Sequence, residues 1–183
     1  AAYAIIAYQT AFLKTYYPHE FFAASMSMEL SNQKKLSEFY EELKRLSINI
    51  IRPDINKCYA DFSSDGKNFL YALGAIKSVG FEAISKIVEE RNKNGVFKDL
   101  TDFINRVNPK YINKLQLEGL VKAGAFDNLY KNRHSLYNSI PNIILKSKNI
   151  FENNSANQID LFQEDNDETC LLYTSDAADD GIR

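Results

Sequence analysis

Cysteine and histidine are scarce in this sequence, with two of each in 183 residues. Cys58 and Cys170 lie far apart, and neither a CxxC pair nor Cys/His ligand spacing is present, so the sequence carries no zinc signature. Two thiols without a partnering pattern fit a reducing, cytoplasmic setting. His19 and His134 have no Cys or carboxylate cluster around them and read as ordinary surface or capping residues. No apolar run approaches the roughly 20 residues of a bilayer span. The opening Ala1–Ile6 has neither an initiator Met nor a charged stretch before its apolar residues. It does not read as a signal peptide; it reads as a chain interrupted within a helix. Excess charge of one sign is also missing: the net charge is −2, which by itself gives no sign of a nucleic-acid partner.

The charge is nevertheless unevenly placed. Between Tyr71 and Arg133 there are 11 Lys/Arg against 7 Asp/Glu, whereas Gln158 to Asp180 holds 8 Asp/Glu and no Lys/Arg. Hydrophobic residues make up 45%, enough for a small core. The periodicity predicts a helix over residues 1–17. A second begins at Pro18, and a third is capped by Asn32 with Leu36, Phe39, Tyr40, Leu43 and Leu46 on one face. Ile48 to Ile51 reads as a short strand. Asp61-Phe62 and Phe69-Leu70-Tyr71 flank the turn residues Ser64-Asp65-Gly66 as a small β-hairpin. Helices are predicted again from Gly74, with Ala83–Asn94 stopped by Gly95. Further helices are capped by Asp99 and by Asn113, the latter stopped at Gly124, and a last one runs from Arg133 to Lys148. The Asn-rich stretch from Ile150 to Asn157 reads as a linker.

Two segments carry candidate chemistry. In Leu73-Gly74-Ala75-Ile76-Lys77-Ser78-Val79-Gly80-Phe81-Glu82-Ala83-Ile84, a short apolar helix is expected to stop at the turn Ser78-Val79-Gly80 and a second to start at once. Gly80 is assigned a conformation closed to residues with a Cβ. The unpaired N–H groups opening the second helix form a phosphate site at the positive end of its dipole, flanked by Lys77 and Lys86. A related arrangement surrounds Lys122 and Gly124 in Leu115 to Asp127. Two such hairpins side by side would grip duplex backbones without reading sequence, with affinity falling steeply in salt. Downstream, Gln158-Ile159-Asp160-Leu161-Phe162 places a Leu-Phe pair in an acidic stretch, the composition of a docking peptide.

Together these pieces resemble the alpha subunit of bacterial DNA polymerase III. The resemblance is carried by Ala1 to Thr10, Tyr17-Pro18-His19-Glu20-Phe21, Pro53-Asp54-Ile55-Asn56, Leu73 to Gly80, Leu120 to Asp127 and Asn132-Arg133, in matching order up to Phe162. It implies that residues 1–52 are the end of a helical fingers domain and 53–72 a small β-hairpin connector. It likewise implies a tandem helix-hairpin-helix region at 73–148 that holds newly made duplex through Lys77, Ser78, Val79, Gly80, Lys86, Lys122 and Gly124. The segment 149–169 is then a flexible tail whose Gln158, Leu161 and Phe162 dock on the β sliding clamp, tethering the enzyme at the primer end. The expected fold class is mainly α.

The expected partners are duplex DNA, the clamp and the rest of the polymerase III holoenzyme, with no membrane. The family's two-metal chemistry uses palm carboxylates that lie upstream of Ala1, so no catalytic or metal residue is assigned here. Asp54 and Asp61 are not promoted to ligands, no cofactor is expected in this segment, and Mg2+ belongs to the parent polymerase. The segment alone is expected to be inactive, and Ile5, Phe12 and Phe22 are expected to be uncovered. Residues 170–183 resemble a translated sequencing-library adapter and are set apart from the fold. Two other readings fit the hairpins alone: a fragment of a helix-hairpin-helix repair enzyme, and a helical interaction module that does not bind nucleic acid.

Overall fold

A computed structural model describes residues 2–155. The described chain is mainly α, with seven α-helices and one small sheet. Helix α1 spans Ala2–Tyr16, α2 Pro18–Ser27 and α3 Gln33–Arg45. Pro18 opens α2 at its first position, where its missing N–H costs no helical bond. The Asn32 side chain caps α3 by accepting from the Lys35 amide. Phe22, Met26, Leu36 and Leu43 bury themselves together with Phe69 from the sheet and Phe62 just before one of its strands. Phe22 is therefore at the centre of this core, against the expectation that it is uncovered: α3 and the sheet provide its cover, and its ring meets Phe39 edge-on at 6.0 Å. Ile5, Ile6, Tyr8, Phe12 and Leu13 of α1 are exposed. The Lys14–Glu42 pair, at 2.6 Å, ties α1 to α3.

The sheet has the order β1-β3-β2, with β1 at Ile50–Ile51, β2 at Ser63–Ser64 and β3 at Phe69–Leu70. Strands β2 and β3 form the expected hairpin, pairing Ser63 with Leu70 and Ser64 with Phe69. β1 adds to it in parallel, Ile50 beside Phe69. Asp65 fixes the turn by accepting from the Lys67 and Asn68 amides at 2.9 and 2.6 Å and from the Asn68 side chain at 2.8 Å. Gly66 supplies the positive φ of 83°.

The second core lies among α4 (Phe81–Asn94), α5 (Leu100–Arg106), α6 (Lys114–Ala123) and α7 (Arg133–Ser155). Ile84, Ile87, Phe97, Phe103, Leu120, Phe126 and Ile140 are among its buried residues. Asp99 and Asn113 cap α5 and α6 as predicted, and Gly95 and Gly124 end α4 and α6 at positive φ. α7 does not stop at Lys148: it continues to Ser155 through the stretch read as a linker. Leu136, Ile140 and Ile143 are buried, and Ile150 packs against the same core, so apolar spacing outweighs the weak helix propensity of the asparagines. The tail with Gln158, Leu161 and Phe162 lies outside the described residues.

Residues 52–60 form a strap across this second core. Asp54 is buried and accepts from the Asn56 amide at 2.8 Å and from the Asn128 side chain at 2.5 Å. The Asn56 side chain imitates a backbone pair with Phe97, donating to its carbonyl and accepting from its amide, each at 2.8 Å. The Ile55 amide donates to the Ala125 carbonyl at 2.8 Å. Arg91 of α4, only 5% exposed, donates to the Ile55 and Cys58 carbonyls at 2.8 and 2.7 Å, with the Tyr59 ring 4.9 Å away. Burial holds its guanidinium below the usual arginine value.

Removing the Arg91 head group leaves two buried carbonyls without a donor. Arg91→Met is expected to destabilise the fold by about 3 kcal/mol, read as a lowered urea midpoint at unchanged slope; an unchanged midpoint contradicts the strap's role. At the hairpin turn, the Asn68 side chain and amide hold the Asp65 carboxyl down at about 2. A depressed folded-state pKa means that its stabilisation is present above the ordinary aspartate range and is lost as pH falls toward about 2. An NMR titration of Asp65 checks this, and a midpoint near 4 rules the turn's hydrogen bonds out as the cause.

Candidate nucleic-acid interface

The first hairpin is tighter than the sequence suggested. Its leading element is a 3₁₀ turn, Leu73–Ala75, and not an α-helix. The Val79 amide closes a turn onto the Ile76 carbonyl at 3.0 Å. The third residue of this turn, Ser78, takes a positive φ of 69°, as the third residue of a type II turn does. Gly80 sits at φ −79°, an ordinary extended conformation, so the reading that Gly80 supplies left-handed backbone is corrected: Ser78 bears it. What Gly80 provides is room, since a Cβ there would lie 3.2 Å from Nε2 of Gln116.

Val79 is buried and pins the turn to the core, whereas Lys77, Ser78, Gly80 and Phe81 are exposed. Helix α4 begins at Phe81 with no side-chain cap. Helices α5 and α6 are capped by Asp99 and Asn113, and the Asn132 carbonyl oxygen of the side chain accepts from Ser135 at the start of α7. Among the four helices of this core, α4 alone offers uncapped N–H groups, at the positive end of its dipole. Lys77 stands beside them with no ion-pair partner among the described residues. Lys86 is committed to Glu89 at 2.8 Å, which raises its pKa. Glu82, in the first turn of α4, already favours the same dipole.

The second hairpin differs. Gly124 takes the left-handed conformation, φ 81°, and its amide closes α6 onto Leu120 and Val121. The next helix, however, starts only at Arg133, after the loop through Asp127 and Tyr130. Arg133 folds back over Gly124, so close that a Cβ there would overlap its guanidinium. Arg133 also pairs with Asp127 and donates to the Lys122 carbonyl at 3.3 Å. Gly124 is consequently buried, and its turn faces Arg133 in place of solvent. Lys122 is exposed, 4.0 Å from Glu118 and 4.9 Å over the Tyr137 ring.

The two hairpins meet through α6. A Cβ on Gly119 would lie 2.9 Å from the Lys77 carbonyl oxygen and 3.0 Å from Val79 Cγ2. Gln116 completes the α6 capping box by accepting from the Asn113 amide at 3.0 Å, which leaves its Nε2 beside Gly80. The sequence reading passed over both residues. The available signal was a glycine in the middle of an otherwise regular helix, which costs about 1 kcal/mol against alanine and calls for a packing reason.

Asp54 and Asp61 do not assemble a metal centre: Asp54 serves Asn56 and Asn128, and no group of three or more His, Cys, Asp or Glu side chains lies together among the described residues.

Residues 47–136 match a family model described as a helix-hairpin-helix motif. The sequence is similar to the DNA polymerase III alpha subunits of Caulobacter vibrioides, 44% identical over 165 residues, and Campylobacter jejuni, 42% identical over 169. The Thermus aquaticus protein of that name is 38% identical over 164 residues. These alignments take in 90% of this chain but only 13–14% of each relative, so the chain spans about one seventh of the length of the proteins it matches.

A methyl group on Gly119 has nowhere to go but against a backbone oxygen. Gly119→Ala is expected to destabilise by about 1 kcal/mol or more, reversing the usual gain of alanine in a helix. It is also expected to speed amide exchange at Ser78 and Val79. A stabilised variant with unchanged exchange rates would show that α6 does not brace the turn.

Proposed function

Because this chain belongs, over the segment it shares with them, to the DNA polymerase III alpha-subunit family, we propose that it is the part of a replicative polymerase that holds duplex DNA by its backbone. The observation that carries this reading is the exposed, uncapped start of α4, set directly on the turn Lys77 to Gly80. A phosphate oxygen can accept from the N–H groups there while Lys77 supplies the charge. Contacts of this kind carry no base identity, so binding is independent of sequence. Duplex grip rests first on Lys77, Ser78, Val79 and Gly80. Lys86 and Lys122 contribute by exchanging a carboxylate for a phosphate, and Gly124 acts by shaping the second turn, since Arg133 covers it.

The same proposal extends to the tail. Gln158, Leu161 and Phe162 dock on the β sliding clamp, the Leu-Phe pair filling an apolar pocket and the Gln amide bonding at its mouth. The support for this is the residue pattern alone. Nucleotidyl transfer, and assembly with the remaining holoenzyme in the cytoplasm, are proposed for the parent polymerase. No helix among the described residues is long and apolar enough to cross a membrane.

Fluorescence anisotropy of the chain with labelled duplex DNA tests the grip. The expected result is affinity that is indifferent to sequence and falls linearly in log–log form with salt, with Lys77→Ala reducing the slope by about one. Binding that ignores salt, or that Lys77→Ala leaves untouched, removes the reading and favours a helical interaction module. For the tail, surface plasmon resonance against a bacterial β clamp should show binding that is lost in Leu161→Ala/Phe162→Ala; equal binding by that double variant sinks the clamp assignment.

A further inference from the structure

A cleft of about 820 Å3 opens between α3, the start of the strap and the first hairpin turn. Its volume falls within the roughly 300–1,000 Å3 of sites that enclose a ligand. The floor is apolar, from Met26, Leu36 and Pro53, and the rim carries Arg52 and Lys77. No acidic side chain lines it, and neither cation has an ion-pair partner among the described residues. Tyr40 and Tyr71 face the same cleft, and neither hydroxyl has a hydrogen-bond partner among the described residues. Lys44, itself held by Glu41, lies 4.5 Å over the Tyr40 ring and adds a third cation close to that tyrosine.

Two uncompensated cations on the rim call for an anion. Tyrosines beside an apolar floor call for a flat group that stacks. A nucleotide combines the two, and nonspecific single-strand sites are built from this pairing of cations with aromatic platforms. A duplex is too wide to enter a cleft of this size, but a splayed, unpaired nucleotide is not. Lys77 belongs both to the rim and to the hairpin turn, so a strand leaving the duplex at that turn lies beside the cleft. We propose that this cleft takes the unpaired single-stranded DNA that continues from the duplex, with Arg52 and Lys77 on its phosphates and Tyr40 and Tyr71 against its bases. The proposal deepens the duplex-grip reading and rests on it for the choice of nucleic acid.

The test compares the full chain binding a blunt duplex with its binding to the same duplex carrying an oligothymidine overhang, of either polarity. An overhang is expected to raise affinity about tenfold in at least one polarity, the gain of one or two stacked bases. Arg52→Ala and Tyr40→Ala should each abolish most of that gain while leaving blunt-duplex affinity unchanged. The circular dichroism of both variants should match the parent, since Arg52 is exposed and Tyr40, 37% exposed, lies outside the buried core. No gain from either overhang, with blunt-duplex binding intact, overturns the proposal and spares the duplex grip. Failure of blunt-duplex binding defeats the grip and the proposal with it. Free oligothymidine should compete away the overhang gain, whereas thymidine monophosphate at equal nucleotide concentration should not. Equal competition by the monomer would reassign the cleft to a free nucleotide.

Discussion

The arrangement of the helical core depends on one set of buried hydrogen bonds, those by which residues 52–60 hold the ends of other elements. Asp54 takes the loop between α6 and α7 through Asn128, Asn56 takes the loop between α4 and α5 through Phe97, and Arg91 takes the strap's own carbonyls from the last turn of α4. Each contact involves a polar group removed from water, so each is costly to leave unmade. A strap that satisfies them all sets the spacing of α4, α5 and α6 more sharply than apolar packing alone, because hydrogen bonds have direction and apolar contacts do not.

That spacing has a consequence at the first hairpin. The turn Lys77 to Gly80 is fixed from three sides: Val79 is buried beneath it, α6 approaches through Gly119, and Gln116 lies beside Gly80. A turn held this firmly can tolerate Ser78 in the left-handed region, a conformation that costs about 1–2 kcal/mol for a residue with a Cβ. Ser78 is exposed, so its hydroxyl is open to a phosphate in the proposed grip. The uncapped start of α4 follows the same logic. A capping side chain would satisfy the N–H groups internally and occupy the position an anion needs, and Gly80 has no side chain with which to do so.

Much of the fold was legible because its signals are local. Asn32, Asp99 and Asn113 cap the helices they were expected to cap, and Gly95 and Gly124 end theirs at positive φ, since each depends on a few neighbouring residues. The strap was not legible. Asp54 and Asn128 are 74 residues apart, and Asn56 and Phe97 are 41 apart, so no periodicity links them. Leu73 to Gly80 reads as helix and glycine turn, yet the positive φ falls on Ser78, because register within a three-residue turn is decided by which side chain the core accepts. Here that side chain is Val79. The length of α7 was underestimated for a similar reason: Ile150 lies within an Asn-rich stretch, and only the packed core shows that it has something to touch.

The cations themselves separate the two hairpins. Lys77 has no ion-pair partner among the described residues, whereas Lys86 is drawn to Glu89 and Lys122 to Glu118 and the Tyr137 ring. A phosphate arriving at either of the latter must displace a carboxylate or share the ammonium with it. Such exposed pairs are worth little, typically under 1 kcal/mol, so the exchange is possible but brings less than a contact with a free lysine. At Gly124 the obstacle is greater, because Arg133 already neutralises Asp127 and covers the turn. The proposed backbone grip is therefore unequal, led by the first hairpin, with the second serving chiefly as the brace that α6 provides. An unequal grip agrees with the net charge of −2: a chain that holds DNA at one well-formed phosphate site, and not across a broad basic face, has no need of a basic composition.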